Sequence, residues 1–331
     1  MSNIIRVANL VKIFRVSNRQ PGWFGLVRNL ISAEYREVRA VDGINFNLER
    51  GELVGYLGPN GAGKSTTLKI LTGLLVPTSG EVQVDGYIPW KNRSAYVSRV
   101  GAVFGQRTTL WWDLPVIDSF DLLQPMYRIP PQRFRQNLKE FTEILELGPF
   151  LNTPVRSLSL GQRMRADLVA ALMHDPPLLF LDEPTIGLDV VAKERIRQFI
   201  QYIHQKQSTT IILTTHDLSD VEKLCERVII LDLGKVLYDG SLSQLTARFE
   251  GNRTMVVTFA EDYRDINLPG VPLPQRQGER VVYTFDPRQI SSSELVEQLL
   301  GRYRVADLEL HRPEIGETIR RIYEEKLLHL K

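Results

Sequence analysis

The chain has 331 residues, of which 43% are hydrophobic and 24% are charged, values of an ordinary globular protein that is long enough for two domains. Its net charge of +2 gives no electrostatic drive toward bulk nucleic acid, and its single cysteine, Cys225, excludes an intrachain disulfide and indicates a reducing compartment. We expect neither a signal peptide nor a membrane-spanning helix, so any role at a membrane would be exercised from outside the bilayer.

The first predicted elements are two strands separated by an insertion. Residues 4–16 alternate in the manner of a strand, and Phe14 near its end is typical of a core aromatic. Residues 20–39 carry apolar side chains at helical spacing, which predicts a short helix packed on its own domain. A contact of this segment with a membrane partner or a headgroup surface is the alternative. Residues 40–48 are predicted to form the second strand.

A glycine-rich stretch follows the predicted strand 53–57 and runs into a helical pattern at 67–75. This context of strand, loop and helix is the one that the phosphate-loop motif requires, and the stretch matches that motif in full. Glycines let backbone N–H groups turn toward phosphates, Lys64 can reach the outer phosphates, and the Ser65 hydroxyl can hold Mg²⁺. The predicted nucleotide-binding residues are Gly58, Pro59, Asn60, Gly61, Ala62, Gly63, Lys64, Ser65 and Thr66.

The next buried strand, 100–104, leads to Gln106. From its place between the two nucleotide motifs we predict that Gln106 ligates Mg²⁺ and senses the γ-phosphate, whereas an ordinary loop residue is the alternative. Trp111 and Trp112 follow in a loop, where they fit either the core or an interface anchor. Residues 116–173 show helical patterns interrupted by prolines, which predicts an all-helical insertion within an α/β domain.

Three polar or small residues stand at the start of a helix predicted at 164–173. Ser159, Gly161 and Gln162 offer hydroxyl, amide and backbone N–H groups there, and such groups suit an anion. Taken alone, this pattern indicates no more than a helix cap. Its place before the acidic motif described next makes it a candidate phosphate contact.

The apolar strand 177–182 ends in the acids Asp182 and Glu183, the Walker B pattern. Such a strand is buried in a parallel sheet, and ligands bind beyond the carboxyl ends of these strands. We predict that Asp182 holds Mg²⁺ and that Glu183 polarises the attacking water. His216 follows the next buried strand, 209–214, and is predicted to contact the γ-phosphate, with a structural histidine as the alternative. The predicted catalytic residues are Lys64, Glu183 and His216.

The rest of the chain is predicted to form a separate small domain. A helix leads out at 241–249, strands are predicted at 254–259, 281–285 and 305–310, and helices are predicted at 292–300 and 313–328. This pattern indicates a small α+β domain at 246–331 after a nucleotide-binding domain at 1–245. Nothing in its sequence points to chemistry, and regulation, dimer contact and support all stay open.

In their order, these motifs resemble the ATP-binding cassette (ABC) ATPases of membrane transporters over residues 4–245. The discriminating part is the signature stretch, Leu-Ser-Leu-Gly-Gln at 158–162, because other phosphate-loop families lack it. It departs from the usual Leu-Ser-Gly-Gly-Gln by having Leu160 in place of the first glycine. Further detail is similar to a bacterial branch of the exporter class that includes drug-resistance and polysaccharide or lipid exporters.

The resemblance implies an α/β ABC ATPase that binds ATP and Mg²⁺ and works as a head-to-tail dimer, either a homodimer or a paralogous heterodimer. Ser159, Gly161 and Gln162 of one subunit would face the phosphate loop of the other. In this family, an aromatic at the position of Phe14 stacks on adenine. Asp189 ends a further family motif and is expected at the nucleotide.

The same resemblance implies partners in the membrane. Transmembrane permease subunits would dock near residues 106–115, and the ATPase would be peripheral, at the cytoplasmic face of the inner plasma membrane. A soluble ABC ATPase acting on nucleic acid or the ribosome would need a coiled coil, a zinc insertion or a second cassette, and the sequence has none of them. A small-molecule kinase would need neither the signature stretch nor His216. We therefore expect a subunit that powers transport, with export implied by the resemblance and no direct contact with nucleic acid.

Overall fold

The structure of the chain, a computed structural model, describes residues 3–17, 35–105, 107–249, 252–311 and 319. Backbone contacts divide the chain into two units, Met1–Leu242 and Ser243–Lys331. The boundary expected from the sequence lies at 245. Each unit contains a hydrophobic cluster of its own, as folding units do.

The strands of the first unit form two sheets. They are β1 (Asn3–Ser17), β2 (Tyr35–Glu49), β3 (Leu53–Leu57), β4 (Ser79–Val84), β5 (Val100–Phe104), β6 (Leu178–Asp182), β7 (Thr210–Thr214), β8 (Arg227–Asp232) and β9 (Lys235–Ser241). A six-stranded sheet has the order β5-β6-β7-β3-β8-β9, parallel except for β9. Every residue of β3 is buried, the pattern of a parallel strand covered on both faces. A smaller antiparallel sheet has the order β2-β1-β4.

Helices connect the strands of the large sheet. They are α1 (Lys64–Leu71), α2 (Arg93–Val97), α3 (Val116–Tyr127), α4 (Pro131–Ile144), α5 (Leu160–Leu172), α6 (Val190–Gln207) and α7 (Leu218–Leu224). Helices α3, α4 and α5 lie within the predicted insertion 116–173, and α5 packs against β5 as well as against α3 and α4. The first unit is therefore an α/β fold with a helical insertion between β5 and β6.

Two helices begin earlier than the sequence predicted. The helix after the phosphate loop begins at Lys64 rather than at residue 67, so the end of the motif forms its first turn. The helix at the signature stretch begins at Leu160 rather than at residue 164. Ser159 caps it, because its hydroxyl accepts from the Gln162 N–H while Gln162 Oε1 accepts from the Ser159 N–H. Apolar periodicity located both helices, but a reciprocal side-chain cap decides where α5 begins, and α1 begins at Lys64, directly after Gly63, without a side-chain cap.

The second strand also begins earlier than predicted, at Tyr35 instead of residue 40. It pairs antiparallel with β1 as far as Ser17, which lies opposite Tyr35. The helix predicted within 20–39 is therefore wrong for residues 35–39, because pairing with β1 supplies their backbone hydrogen bonds. The rest of that prediction falls on residues 18–34, outside the described residues.

The second unit is built around an antiparallel sheet. Its elements include β10 (Arg253–Phe259), β11 (Gln275–Gln277), β12 (Arg280–Phe285), α9 (Ser292–Arg302) and β13 (Val305–His311), after helix α8 (Leu242–Phe249). The strand order is β11-β12-β10-β13, and side chains of α9 join those of the sheet in one core. The short strand β11 was not predicted. The final helix predicted at 313–328 lies outside the described residues apart from Ile319.

His174, which follows α5, is held in an environment that disfavours its charged form. Its ring stacks on Tyr127 with the centroids 4.1 Å apart, and its Nε2 lies 3.1 Å from the carbonyl oxygen of Val100. Its Nδ1 is buried and has no hydrogen-bond partner among the described residues. Burial lowers the pKa of His174 from 6.5 to about 4.

We expect this histidine to make the first unit less stable in mild acid. The unfolded chain takes up the proton near pH 6.5 and the folded chain only near pH 4, so protonation favours unfolding as the pH falls through this interval. The loss reaches up to about 3 kcal/mol of unfolding free energy. Urea unfolding at a series of pH values would measure it. His174→Phe should flatten this dependence, whereas the exposed His311→Phe control should not, and equal slopes in all three proteins would contradict the assignment.

None of the helices within the described ranges is both long enough and apolar enough to cross a membrane.

Candidate functional site

The carboxyl ends of neighbouring strands bring the predicted site residues together. In the large sheet β6 lies between β5 and β7, and β7 lies next to β3. The phosphate loop follows β3, Asp182 ends β6, and His216 comes two residues after β7. Because parallel strands end at one edge of the sheet, these groups share the edge at which α/β proteins bind ligands.

The last turn of the phosphate loop requires glycine at Gly63. Its φ of +104° is one that L side chains rarely adopt, and a Cβ there would lie 2.3 Å from the carbonyl oxygen of Ala40 in β2. The loop can therefore pass close to the β2 backbone only without a side chain at this position. This path leads directly into α1, whose first residue is Lys64.

The ammonium group of Lys64 lies inside the phosphate loop. The residue is 6% exposed, and its Nζ donates to the carbonyl oxygens of Gly58 at 2.7 Å and Pro59 at 3.1 Å. Burial lowers the pKa of Lys64 below its ordinary value, while the carboxylates of Glu183 and Asp182 act in the opposite direction. A buried cation held by carbonyl oxygens is positioned to pair with an anion that enters the loop.

Ser65 and Asp182 bring two oxygen donors together. Ser65 Oγ lies 3.3 Å from Asp182 Oδ1, which also accepts from Thr214 Oγ1 at 2.6 Å. Hydroxyl and carboxylate oxygens suit Mg²⁺, which often takes its other ligands from substrate phosphates and water. Within the described ranges, no three His, Cys, Asp or Glu side chains gather into a metal cluster. The hydroxyl of Ser65 and the carboxylate of Asp182 are oxygen donors of the kind that Mg²⁺ takes.

Glu183 and His216 form the second polar pair of the site. His216 Nε2 lies 2.6 Å from Glu183 Oε1. Glu183 has a φ of +57°, uncommon for a residue with a side chain, and its N–H donates to the carbonyl oxygen of Thr214 at 3.0 Å. Such strained backbone persists where the surroundings over-determine it, often at functional positions. The carboxylate is thus held at the sheet edge, where it can accept a proton from a water molecule.

A cavity of about 360 Å³ is lined in part by Ser65, Asp182 and Glu183, whereas Lys64 and His216 are not among its lining residues. A larger cavity of about 630 Å³, lined in part by Gly51 and His204, lies at the opposite, amino ends of the strands. None of the predicted site residues lines the larger cavity. Chemistry rather than size therefore identifies the smaller cavity as the candidate active site.

The signature stretch packs on the segment that follows Glu183. A Cβ on Gly161 would meet Leu188 and Ala192 at ordinary contact distances of 3.6 and 3.7 Å. Leu160 Cδ2 would lie 2.9 Å from a Cβ on Gly187, so these two residues are also in close contact. The start of α5 is therefore tied to the turn that leads into α6.

The other predicted residues differ in their surroundings. Phe14 is 36% exposed, with Lys12 Nζ 5.2 Å from its ring centroid, so it is not the core aromatic that its strand pattern suggested. Asp189 caps α6 by accepting from the Ala192 N–H at 2.8 Å, a structural role that the sequence analysis did not assign. Gln106 lies outside the described residues.

Trp111 and Trp112 are 37% and 49% exposed. Neither is a buried core residue, so the core interpretation is wrong, whereas the interface anchor stays a prediction. The guanidinium carbon of Arg163, near the start of α5, lies 5.7 Å from the Trp112 ring centroid. The loop with the two tryptophans is therefore linked to the helix that carries the signature stretch.

Sequence reasoning missed several buried polar residues that hold the site together. Thr214, the last residue of β7, fixes Asp182 through its hydroxyl. Asp220, with Thr185 and Thr215, forms a buried group behind Glu183 and His216. In the sequence, the only sign of these supporting residues is a hydroxyl side chain close to each predicted catalytic residue. Because hydroxyl residues are common in loops, only the contacts in the structure identify the ones that support the site.

Comparison with known proteins gives concordant matches. The profile of the family described as ABC transporter matches residues 41–186. The chain is 33% identical to the ABC transporter ATP-binding protein NatA of Bacillus subtilis over 208 residues, 63% of this chain and 84% of NatA. It is also 33% identical to the Nod factor export ATP-binding protein I of Ralstonia nicotianae over 265 residues, 77% of this chain and 80% of that protein.

A solved structure extends the similarity to the fold. The chain resembles the dimeric structure of the ATP-binding cassette MJ0796 in a post-hydrolysis state, bound to ADP and Pi. The TM-score is 0.60 at 28% identity, and the match covers 72% of this chain and 98% of that chain. The ligands of that cassette are the two products of ATP hydrolysis.

Proposed function

This chain belongs to the ATP-binding proteins of ABC transporters and is an ATPase, and on this premise we propose that it hydrolyses ATP with Mg²⁺ to power export through separate transmembrane subunits. One observation carries the proposal. A buried lysine, a pair of oxygen donors and a carboxylate–imidazole pair meet at one edge of the sheet. These are the groups that phosphate binding, metal binding and activation of water require.

Each group has a distinct part in the proposed reaction. Lys64 exchanges its two carbonyl partners for oxygens of the outer phosphates. Ser65 and Asp182 hold Mg²⁺, which, when bound, neutralises charge on the phosphates. Glu183 accepts a proton from the attacking water, and His216 orients that carboxylate and contacts the γ-phosphate.

The signature stretch would complete the site of a second copy of the chain. Its backbone N–H groups stand at the start of α5, where the helix dipole favours an anion. The solved cassette MJ0796 is dimeric and holds ADP and Pi. By analogy, Ser159, Gly161 and Gln162 would bind the phosphates held by the partner's loop.

Export and the membrane location rest on the named relatives. NatA is a transporter ATP-binding protein, and the Ralstonia relative is named for Nod factor export. The proposed subunit is peripheral, at the cytoplasmic face of the inner membrane. Trp111 and Trp112 offer exposed aromatic surface at which a transmembrane subunit could dock.

Mixed dimers test the shared site. Gly161→Asp adds a negative charge beside the expected phosphate, while an acidic side chain in the first turn suits the helix itself. A mixture of the Gly161→Asp and Lys64→Met proteins should hydrolyse ATP faster than either variant alone. In a mixed dimer one site contains both substitutions, whereas the other combines an unchanged phosphate loop with an unchanged signature stretch. Phosphate release would be measured for each variant and for the mixture.

Gly148→Asp is the matched control, since this exposed glycine has open space around its Cβ position. It should keep the activity of the parent protein. If the mixture remains as inactive as its components while mixed dimers are detected by mass, the signature stretch does not act across the dimer.

A further inference from the structure

One carboxylate of the first unit is completely buried behind the candidate active site. Asp220, in α7, is 0% exposed. Its Oδ2 accepts from Thr185 Oγ1 at 2.5 Å and from Thr215 Oγ1 at 3.1 Å. Both threonines are themselves buried, at 2% and 4% exposure. A single carboxylate oxygen therefore joins the loop after β6 to the loop after β7.

The second oxygen of this carboxylate is held from another direction. Arg197 of α6 donates from Nε to Asp220 Oδ1 at 2.5 Å and from Nη2 to Ser219 Oγ at 2.6 Å. The guanidinium is also buried. The contact with Ser219 holds the planar guanidinium in place while its Nε binds one oxygen of the carboxylate, which leaves the other oxygen directed to the threonines.

This buried pair is not explained by stability alone. The free energy of removing two charges from water is about as large as the free energy of their attraction. Replacing such a pair by apolar residues of the same volume therefore often leaves the stability of the fold unchanged or increases it. What a buried, fully bonded pair can supply is one specified geometry. Its value here should therefore be sought in what it holds in place.

The two threonines stand next to the proposed catalytic groups. Thr185 is two residues after Glu183, and Thr215 directly precedes His216. The side chains of Glu183 and His216 are themselves 2.6 Å apart. We propose that Asp220, oriented by Arg197, is a positioning residue that sets the spacing of the Glu183 and His216 loops through these two hydroxyls. This inference rests on the proposed function, since it assumes that Glu183 and His216 act on ATP.

Thr185→Val tests the link with little disturbance. It removes the hydroxyl but keeps the shape, and Asp220 Oδ2 keeps its bond from Thr215. We expect kcat for ATP hydrolysis by the full chain to fall about tenfold or more, as misplacement of reacting groups does. The KM for ATP should change less than about twofold, because the phosphate loop is untouched. Thr185→Ser, which restores the hydroxyl, should recover most of the lost kcat.

Thr72→Val is the matched control. Thr72 is likewise a buried threonine, and its hydroxyl donates to the carbonyl oxygen of Leu68 within the first unit. This variant should leave kcat unchanged, and its thermal unfolding would be measured together with that of Thr185→Val. A fall in kcat for Thr72→Val equal to that for Thr185→Val would assign the effect to general destabilisation and overturn the inference.

A double-mutant cycle separates positioning from mere support. In a His216→Ala background the pair to be aligned no longer exists, so adding Thr185→Val should lower the residual kcat less than about twofold. An equal, additive fall in both backgrounds would contradict the inference. So would a Thr185→Val variant with the kcat of the parent.

Two outcomes separate the positioning role of Asp220 from the proposed function. In the first outcome, the parent protein hydrolyses ATP, the Glu183→Gln variant is inactive, and the Thr185→Val variant has the kcat of the parent. In that case only the positioning role of Asp220 is wrong. If Glu183→Gln hydrolyses ATP as fast as the parent, the role proposed for Glu183 is wrong and the positioning role falls with it.

Discussion

Glu183→Gln is expected to lower ATP hydrolysis by about a hundredfold or more, the usual size of a lost general base. The amide keeps the shape of the side chain and a partner for His216 Nε2, which lies 2.6 Å from Glu183 Oε1 in the parent. It cannot take the proton of the attacking water. ATP binding should persist, because Lys64 and the phosphate loop are unchanged. ATP-bound dimers should therefore accumulate, detectable by size-exclusion chromatography with ATP.

Glu143→Gln is a suitable control for this variant. Glu143 is an exposed glutamate of α4, away from the sheet edge, and its change removes the same charge. Its phosphate release should equal that of the parent. A Glu183→Gln protein that hydrolyses ATP at the parental rate would show that another group activates the water.

Lys64→Met is expected to weaken ATP binding by about a hundredfold, the cost of truncating one partner of a buried charge pair. The substitution keeps much of the length and apolar stem of lysine but removes the cation. The Nζ bonds to Gly58 and Pro59 are lost as well, so the loop also loses the group that holds its carbonyl oxygens. Equilibrium binding of ATP by calorimetry would measure the loss directly.

The exposed Lys139→Met in α4 is the matched control and should bind ATP as the parent does. Thermal unfolding should accompany both measurements, because a collapsed phosphate loop would also lose affinity. A folded Lys64→Met protein with unchanged affinity for ATP would show that the buried ammonium does not contact the nucleotide.

Much of the fold was accessible from local pattern. The continuous apolar strands β3, β6 and β7 were predicted within one residue of their ends, because a strand buried on both faces leaves an unmistakable run of apolar residues. The functional motifs lie at the ends of these strands. Predicting the strands therefore also predicted that the phosphate loop, Asp182 and His216 would meet.

The incorrect predictions of secondary structure have a common physical cause. Residues 35–39 were assigned to a helical insertion, yet they pair with β1, whose partner positions are far away in sequence. Leu160 begins α5 because the Ser159 and Gln162 groups cap each other, which periodicity does not register. In each case hydrogen bonds, rather than apolar spacing, decided the outcome.

The phosphate loop, the acidic strand end and the signature stretch are local stretches, so their residue types and order predict an ATPase without knowledge of the fold. The buried contacts behind these motifs, in contrast, follow only from the folded chain. Thr185, Thr215 and Arg197 are separated along the chain, and each is unremarkable in its own segment. They meet because the sheet and α6 bring them to the buried carboxylate of Asp220, and such long-range pairing leaves no periodic trace in a single sequence.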